Sequence, residues 1–142
     1  MFQENRERLK ATLNSKGVYL TDSVLILNNS YCLPKNDDDC EYFPTKFDPY
    51  ITWLTGMFYT DINIILHLDT LKMTAFYPNP SEVERCFIKY YDQAELAKFG
   101  VTEVIYEDQL VQKLKDNNTS KIFFIRGKLQ FESIFKFCLL KV

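Results

Sequence analysis

Residues 46–78, KFDPYITWLTGMFYTDINIILHLDTLKMTAFYP, constrain the fold more than any other stretch of the chain. Asp48 is a good helix N-cap, Pro49 suits the first helical position, and Gly56 is placed to end the turn in a left-handed conformation. Ile51, Trp53 and Leu54 give that short segment its apolar weight. Two β-branched and aromatic runs follow, 62–68 and 73–77, separated by a short polar turn at Asp69 and Thr70. The expectation is a helical turn leading into a hairpin that forms the middle of a sheet.

A chain of 142 residues is the size of one domain. A domain of this size buries roughly 70% of the surface its unfolded chain exposes, so its core needs no disulfide. The net charge of −2 argues against nucleic acid or an anionic membrane as the main partner. No apolar stretch approaches the roughly 20 residues of a membrane span, and the charged start MFQENRERLKATL lacks the apolar core of a secretory signal. A cytoplasmic protein is expected, with Cys32, Cys40, Cys86 and Cys138 reduced. Cys32 and Cys40 share one loop and are close enough in sequence to pair in an oxidising setting. Zinc is disfavoured, because there is no CxxC and His67 is the single histidine.

In the first helix Phe2, Leu9 and Leu13 are expected on one side and Glu4, Arg6, Glu7 and Lys10 on the other, with Gly17 as the stop. The run 23–27, SVLIL, reads as a strand covered on both faces. Residues 28–45 are the longest irregular segment and carry Asp37, Asp38 and Asp39; a functional loop and a solvated excursion are both open. Ser81 and Glu84 form a capping box for a helix to about Tyr91. Asp92 and Glu95 repeat that spacing for a second short helix, which Gly100 closes. A strand at 103–106, a helix capped by Asp108, and a buried strand at 121–125 ended by Gly127 complete the order. In the tail 128–142, Phe131, Ile134, Phe135, Cys138 and Leu139 have helical spacing, while the composition also permits a strand. Strands alternating with helices predict an α/β layer, and the hairpin makes its sheet mixed.

No catalytic constellation is legible. The four glycines stand alone, so there is no phosphate loop. His67 sits within an apolar strand and reads as a core or sheet-face histidine rather than a base. Asp61 and Asp69 flank the first hairpin strand and would lie about 26 Å apart along it, too far to share a metal. Trp53 reads as a core anchor of the helical turn; the alternative is a contact platform at a cleft or subunit boundary.

The opening FQENRERLKATL together with the central stretch resembles the N-terminal domain of the prolidase and aminopeptidase P family, the creatinase-like metallopeptidases. Asn5, Arg6, Arg8, Leu9 and Leu13 match its opening pattern NRxRLxxxL. Trp53, Leu54 and Gly56 match its aromatic turn, and Leu68-Asp69-Thr70-Leu71-Lys72 through Phe76 and Pro78 its hairpin. Residues 98–101, KFGV, fall where the family has theirs, and the likeness runs to about Gly127.

This resemblance implies a mixed sheet with a central hairpin flanked by helices, in ribonuclease H-like layering. It implies that 1–142 form a single N-terminal domain, without the pita-bread catalytic domain. The parent enzyme would hydrolyse the bond before proline in short peptides. It would use two divalent metal ions, manganese being expected, held by that other domain and not by this chain. This domain would then support a homodimer, contact its own catalytic domain and narrow the substrate cleft. Lys46, Asp48, Trp53, Cys86 and Phe87 are the residues implied at an interface or cleft edge. The departures are Lys46-Phe47-Asp48-Pro49 in place of an Arg-Gln-Glu-Ser run, Leu71 in place of a turn glycine, and Arg85-Cys86-Phe87 where relatives carry a tryptophan. The same architecture serves without catalysis in the large subunit of the FACT histone chaperone, and a binding module of that type is the alternative.

Overall fold

The computed structural model describes residues 2–28, 48–59, 62–79, 81–83, 86 and 90–125. The expectations for 29–47, Asp61, Gly127 and the tail 128–142 lie outside the described residues, and with them Lys46, Phe87, Cys32, Cys40 and Cys138.

Helix α1 (Phe2–Ser15) leads to strand β1 (Ser23–Leu27), then helix α2 (Pro49–Thr55) and the hairpin β2 (Asn63–His67) and β3 (Met73–Tyr77). A short helix α3 (Gln93–Leu96) continues as a 3-10 turn, Ala97–Phe99, into β4 (Val101–Tyr106), α4 (Glu107–Asp116) and β5 (Lys121–Phe124). The sheet order is β4-β3-β2-β1-β5, so the hairpin does occupy the middle. β2 runs antiparallel to both β1 and β3, while β4 and β5 join parallel to β3 and β1.

Hairpin geometry explains a departure noted above. The His67 N–H donates to the Lys72 carbonyl (2.9 Å) and the Leu71 N–H to the His67 carbonyl (2.8 Å). Closing that turn puts Leu71 at φ 60°, in the left-handed region where a glycine would sit without penalty. A side chain there costs roughly 1–2 kcal/mol, which the buried strands on either side must offset.

Alternation along the strands sorts their side chains into two cores. Leu27, Ile64, Leu66, Met73, Ala75 and Tyr77 pack with Ile51 and Leu54 of α2 and Leu96 of α3. On the opposite face Val24, Ile26, Ile65, Phe76 and Ile105 pack with Leu110 and Leu114 of α4. The sheet is therefore covered on both sides, which is why β1 and β2 read as near-continuous apolar runs.

Several expectations are corrected. Arg6 is buried rather than solvated, because α1 crosses the C-terminal end of α2 and brings a donor to its free carbonyls. β4 begins at Val101, directly after Gly100 at φ 88°. The cap of α4 is Tyr106, whose N–H donates to Gln109 Oε1 (3.0 Å), and Asp108 lies within the first turn. Tyr90 and Tyr91 are outside any helix, so the helix expected to run to about Tyr91 does not include them; Glu84 of its expected capping box lies outside the described residues. Among the described residues β5 pairs with β1 alone, at the end of the strand order, and it is only partly buried, with Phe124 exposed.

Candidate functional site

α2 is held at both ends by side chains suited to the task. The Asp48 carboxylate accepts from the N–H of Tyr50 (2.8 Å) and of Ile51 (3.2 Å), with Pro49 at the position that needs no partner. Asp48 is itself buried at this cap. At the other end Gly56 adopts φ 76° and its N–H donates to the Thr52 carbonyl (2.8 Å). Neighbouring carbonyls are served by α1: Asn5 Nδ2 donates to Trp53 O (2.7 Å) and Arg6 Nη1 to Leu54 O (2.8 Å). The Phe2 ring lies so near Gly56 that a β-carbon there would come within 2.5 Å of it.

Anchored in this way, α2 buries Ile51, Leu54 and Thr55 and turns Trp53 outward, 42% exposed. The core-anchor reading of Trp53 is thus overturned. Its ring borders an apolar groove of about 760 Å³ whose walls include Leu9, Leu25, Leu27, Tyr50, Leu54 and Ile125. Tyr50 and Phe58 are exposed as well. Cys86 is an exposed thiol at a helical position, with its N–H donating to the Val83 carbonyl (3.0 Å), and it does not line the groove. Of the implied edge residues, only Trp53 among those described is a groove residue.

A second, polar cleft of about 580 Å³ opens on the α4 side, between His67, Asp69, Thr74, Glu103, Lys113 and Asn117. Lys113 Nζ sits 2.6–2.7 Å from the two carboxylate oxygens of Glu103 and closes one side. The Thr102 hydroxyl donates to the Met73 carbonyl and so is not free as a nucleophile. Among the described residues no group of three or more His, Cys, Asp or Glu side chains could hold a metal ion, and no helix is long and apolar enough to cross a membrane. Glu103 and Lys113 were not singled out in the sequence; only the β3–β4 register and the packing of α4 bring them together.

Burial lowers the pKa of His67; Asp69 and Glu103 oppose the shift, while Lys113 and Lys72 reinforce it. A histidine with a folded pKa below its unfolded one is protonated more readily in the unfolded chain. Its contribution to stability is therefore full above the unfolded value and falls as pH drops through and below that range, roughly pH 6.5. His67→Gln should accordingly lose less stability than the parent chain between about pH 8 and about pH 5. Urea midpoints at the two pH values measure this, and parallel losses in both proteins would refute it.

This arrangement defines an α/β domain built on a mixed five-stranded sheet covered on both faces. Among solved structures it is similar to zinc-substituted Escherichia coli aminopeptidase P in complex with product, at TM-score 0.69 and 15% identity over 99% of this chain and 32% of that one. The same enzyme with the inhibitor Pro-Leu gives TM-score 0.68 at 15% identity, again over 99% and 32%. Proline aminopeptidase P II from Yersinia pestis gives 0.64 at 17% identity over 99% and 31%. At such identities the likeness is one of fold, and the chain spans about a third of the length of these enzymes. No family model and no curated protein matches the sequence.

Proposed function

We propose that this chain is the non-catalytic N-terminal domain of a Xaa-Pro metallopeptidase. The observation that carries the reading is a fold likeness to aminopeptidase P over 99% of the chain but only 32% of the enzyme. The opening NRERL supports it from another direction, since Asn5 and Arg6 of that pattern tie α1 to α2. In this reading the parent enzyme hydrolyses the bond before proline in short peptides. The domain supports a homodimer and narrows the cleft that admits substrate. Two divalent metal ions, manganese in this proposal, belong to a catalytic domain supplied by the rest of the parent polypeptide.

The purified chain should sediment as a dimer and leave Xaa-Pro dipeptides and tripeptides intact with manganese present. Metal-dependent turnover by the chain alone would overturn the non-catalytic assignment, and a strictly monomeric chain would remove the dimer role. The coding sequence beyond Val142 should encode two Asp, one His and two Glu in the spacing of the metal ligands. A stop codon there, or a different domain, would end the parent assignment.

A further inference from the structure

His67, Thr74 and Glu103 stand on one face of the sheet: Thr74 pairs with both Ile65 and Glu103, and His67 lies two residues beyond Ile65 on β2. Leu110 and Leu114 of α4 cover the apolar part of that face. The helix stops at Asp116, and the polar cleft of about 580 Å³ opens beside its C-terminal end. We propose that this cleft binds a small zwitterion, a molecule of amino-acid size with its carboxylate towards Lys72 and Lys113 and its ammonium towards Asp69 and Glu103. This is independent of the peptidase reading.

Two side chains mark the cleft as more than a solvated surface. Thr74 is 3% exposed yet lines the cleft, and among the described residues its hydroxyl has no hydrogen-bond partner. A hydroxyl so placed is costly until something in the cleft bonds to it. His67 is half-buried in the same wall, and its imidazole too lacks a hydrogen-bond partner among the described residues. Burial lowers its pKa, so at neutral pH the ring is uncharged and offers one donor and one acceptor. Charge then decides the class of ligand. Lys72 and Lys113 offset Asp69 and Glu103 around the cleft, so a ligand of one sign gains no net attraction, whereas one carrying both signs can meet each. Lys113 and Glu103 already hold each other at 2.6–2.7 Å. The Lys72 ammonium has no carboxylate partner among the described residues and is left to a ligand carboxylate. No Phe, Tyr or Trp among the described residues lines the cleft, so it presents no aromatic face on which a nucleobase or sugar ring could stack.

His67 is the single histidine, so in the full chain labelled at histidine its ring signals are unambiguous reporters of the cleft. At about pH 7.5, where the ring is neutral, glycine or β-alanine, which differ in the spacing of their two charges, should shift those signals saturably. Acetate and methylammonium at matched ionic strength should give no saturable shift. Lys72→Met should weaken the midpoint for the zwitterion that binds by about fivefold, the expectation for one partly exposed charged contact. Should that variant fail to fold, Thr74→Val, which removes the hydroxyl and keeps the β-branched shape, is read in the same way. No saturable shift with either zwitterion would overturn the proposal. So would an equal response to acetate or to methylammonium, which would define a site for one charge alone, and so would a midpoint that the substitution leaves unchanged.

Discussion

Arg6→Ala should lower folding stability by about 3 kcal/mol, while Arg6→Met should recover a substantial part of that loss. The guanidinium is buried, with 8% of the residue exposed, and Nη1 donates to Leu54 O at 2.8 Å. A charged donor on a buried carbonyl contributes roughly 1.5–3 kcal/mol, and alanine would leave that carbonyl bare and the space of the side-chain stem empty. The arginine is not ideally satisfied either. Its Nε has no hydrogen-bond partner, Met73 Sδ is a weak acceptor at 3.9 Å, and burial lowers its pKa. Methionine removes the cost of desolvating the charge and still fills the stem's space, so the two substitutions separate bonding from packing. Urea unfolding followed by circular dichroism measures both. A loss below about 0.5 kcal/mol for Arg6→Ala would show that the contact with α2 is not what holds α1 in place.

The position of Arg6 was in fact legible, but polarity hid it. Phe2, Arg6, Leu9 and Leu13 stand at i, i+4, i+7 and i+11, one stripe of a helix, and only the charge of Arg6 argued for moving it to the far side. Trp53 is the opposite case. Ile51, Leu54 and Thr55 define the buried face of α2, and Trp53 falls off it, yet hydrophobicity alone suggested a core role. The hairpin, both caps of α2 and the Asp92–Glu95 capping box were readable because each depends on neighbours within a few residues. The polar cleft was not. It needs the parallel register of β3 and β4, which pairs Thr74 with Glu103, and nothing local in the sequence encodes that pairing. The apolar run KIFF likewise suggested a covered strand, whereas its place at the end of the described strand order follows from the parallel crossover to β1.

Phe76→Ala should be the most damaging single truncation on the α4 side of the sheet, costing about 4 kcal/mol. Phe76 is fully buried in β3, and it packs in one cluster with Ile65, Ile105 and the two leucines of α4. Removing the ring leaves a cavity that flanking strands cannot close, because the sheet hydrogen bonds fix their spacing. The damage should be one-sided. Tyr77, the next residue, points to the other core with Ile51 and Leu54, so the packing of α1 and α2 does not depend directly on Phe76. Under native conditions Trp53 emission should therefore stay at its parent value, while backbone amides of α4 lose protection from hydrogen exchange. Lys113 neighbours Leu114 on that helix, so loosening α4 also frees Lys113 from Glu103 and opens the polar cleft at its margin. Equal loss of protection in α1 and α4 would mean that the two cores fail as one unit, and that the sheet does not insulate the Trp53 side from the His67 side.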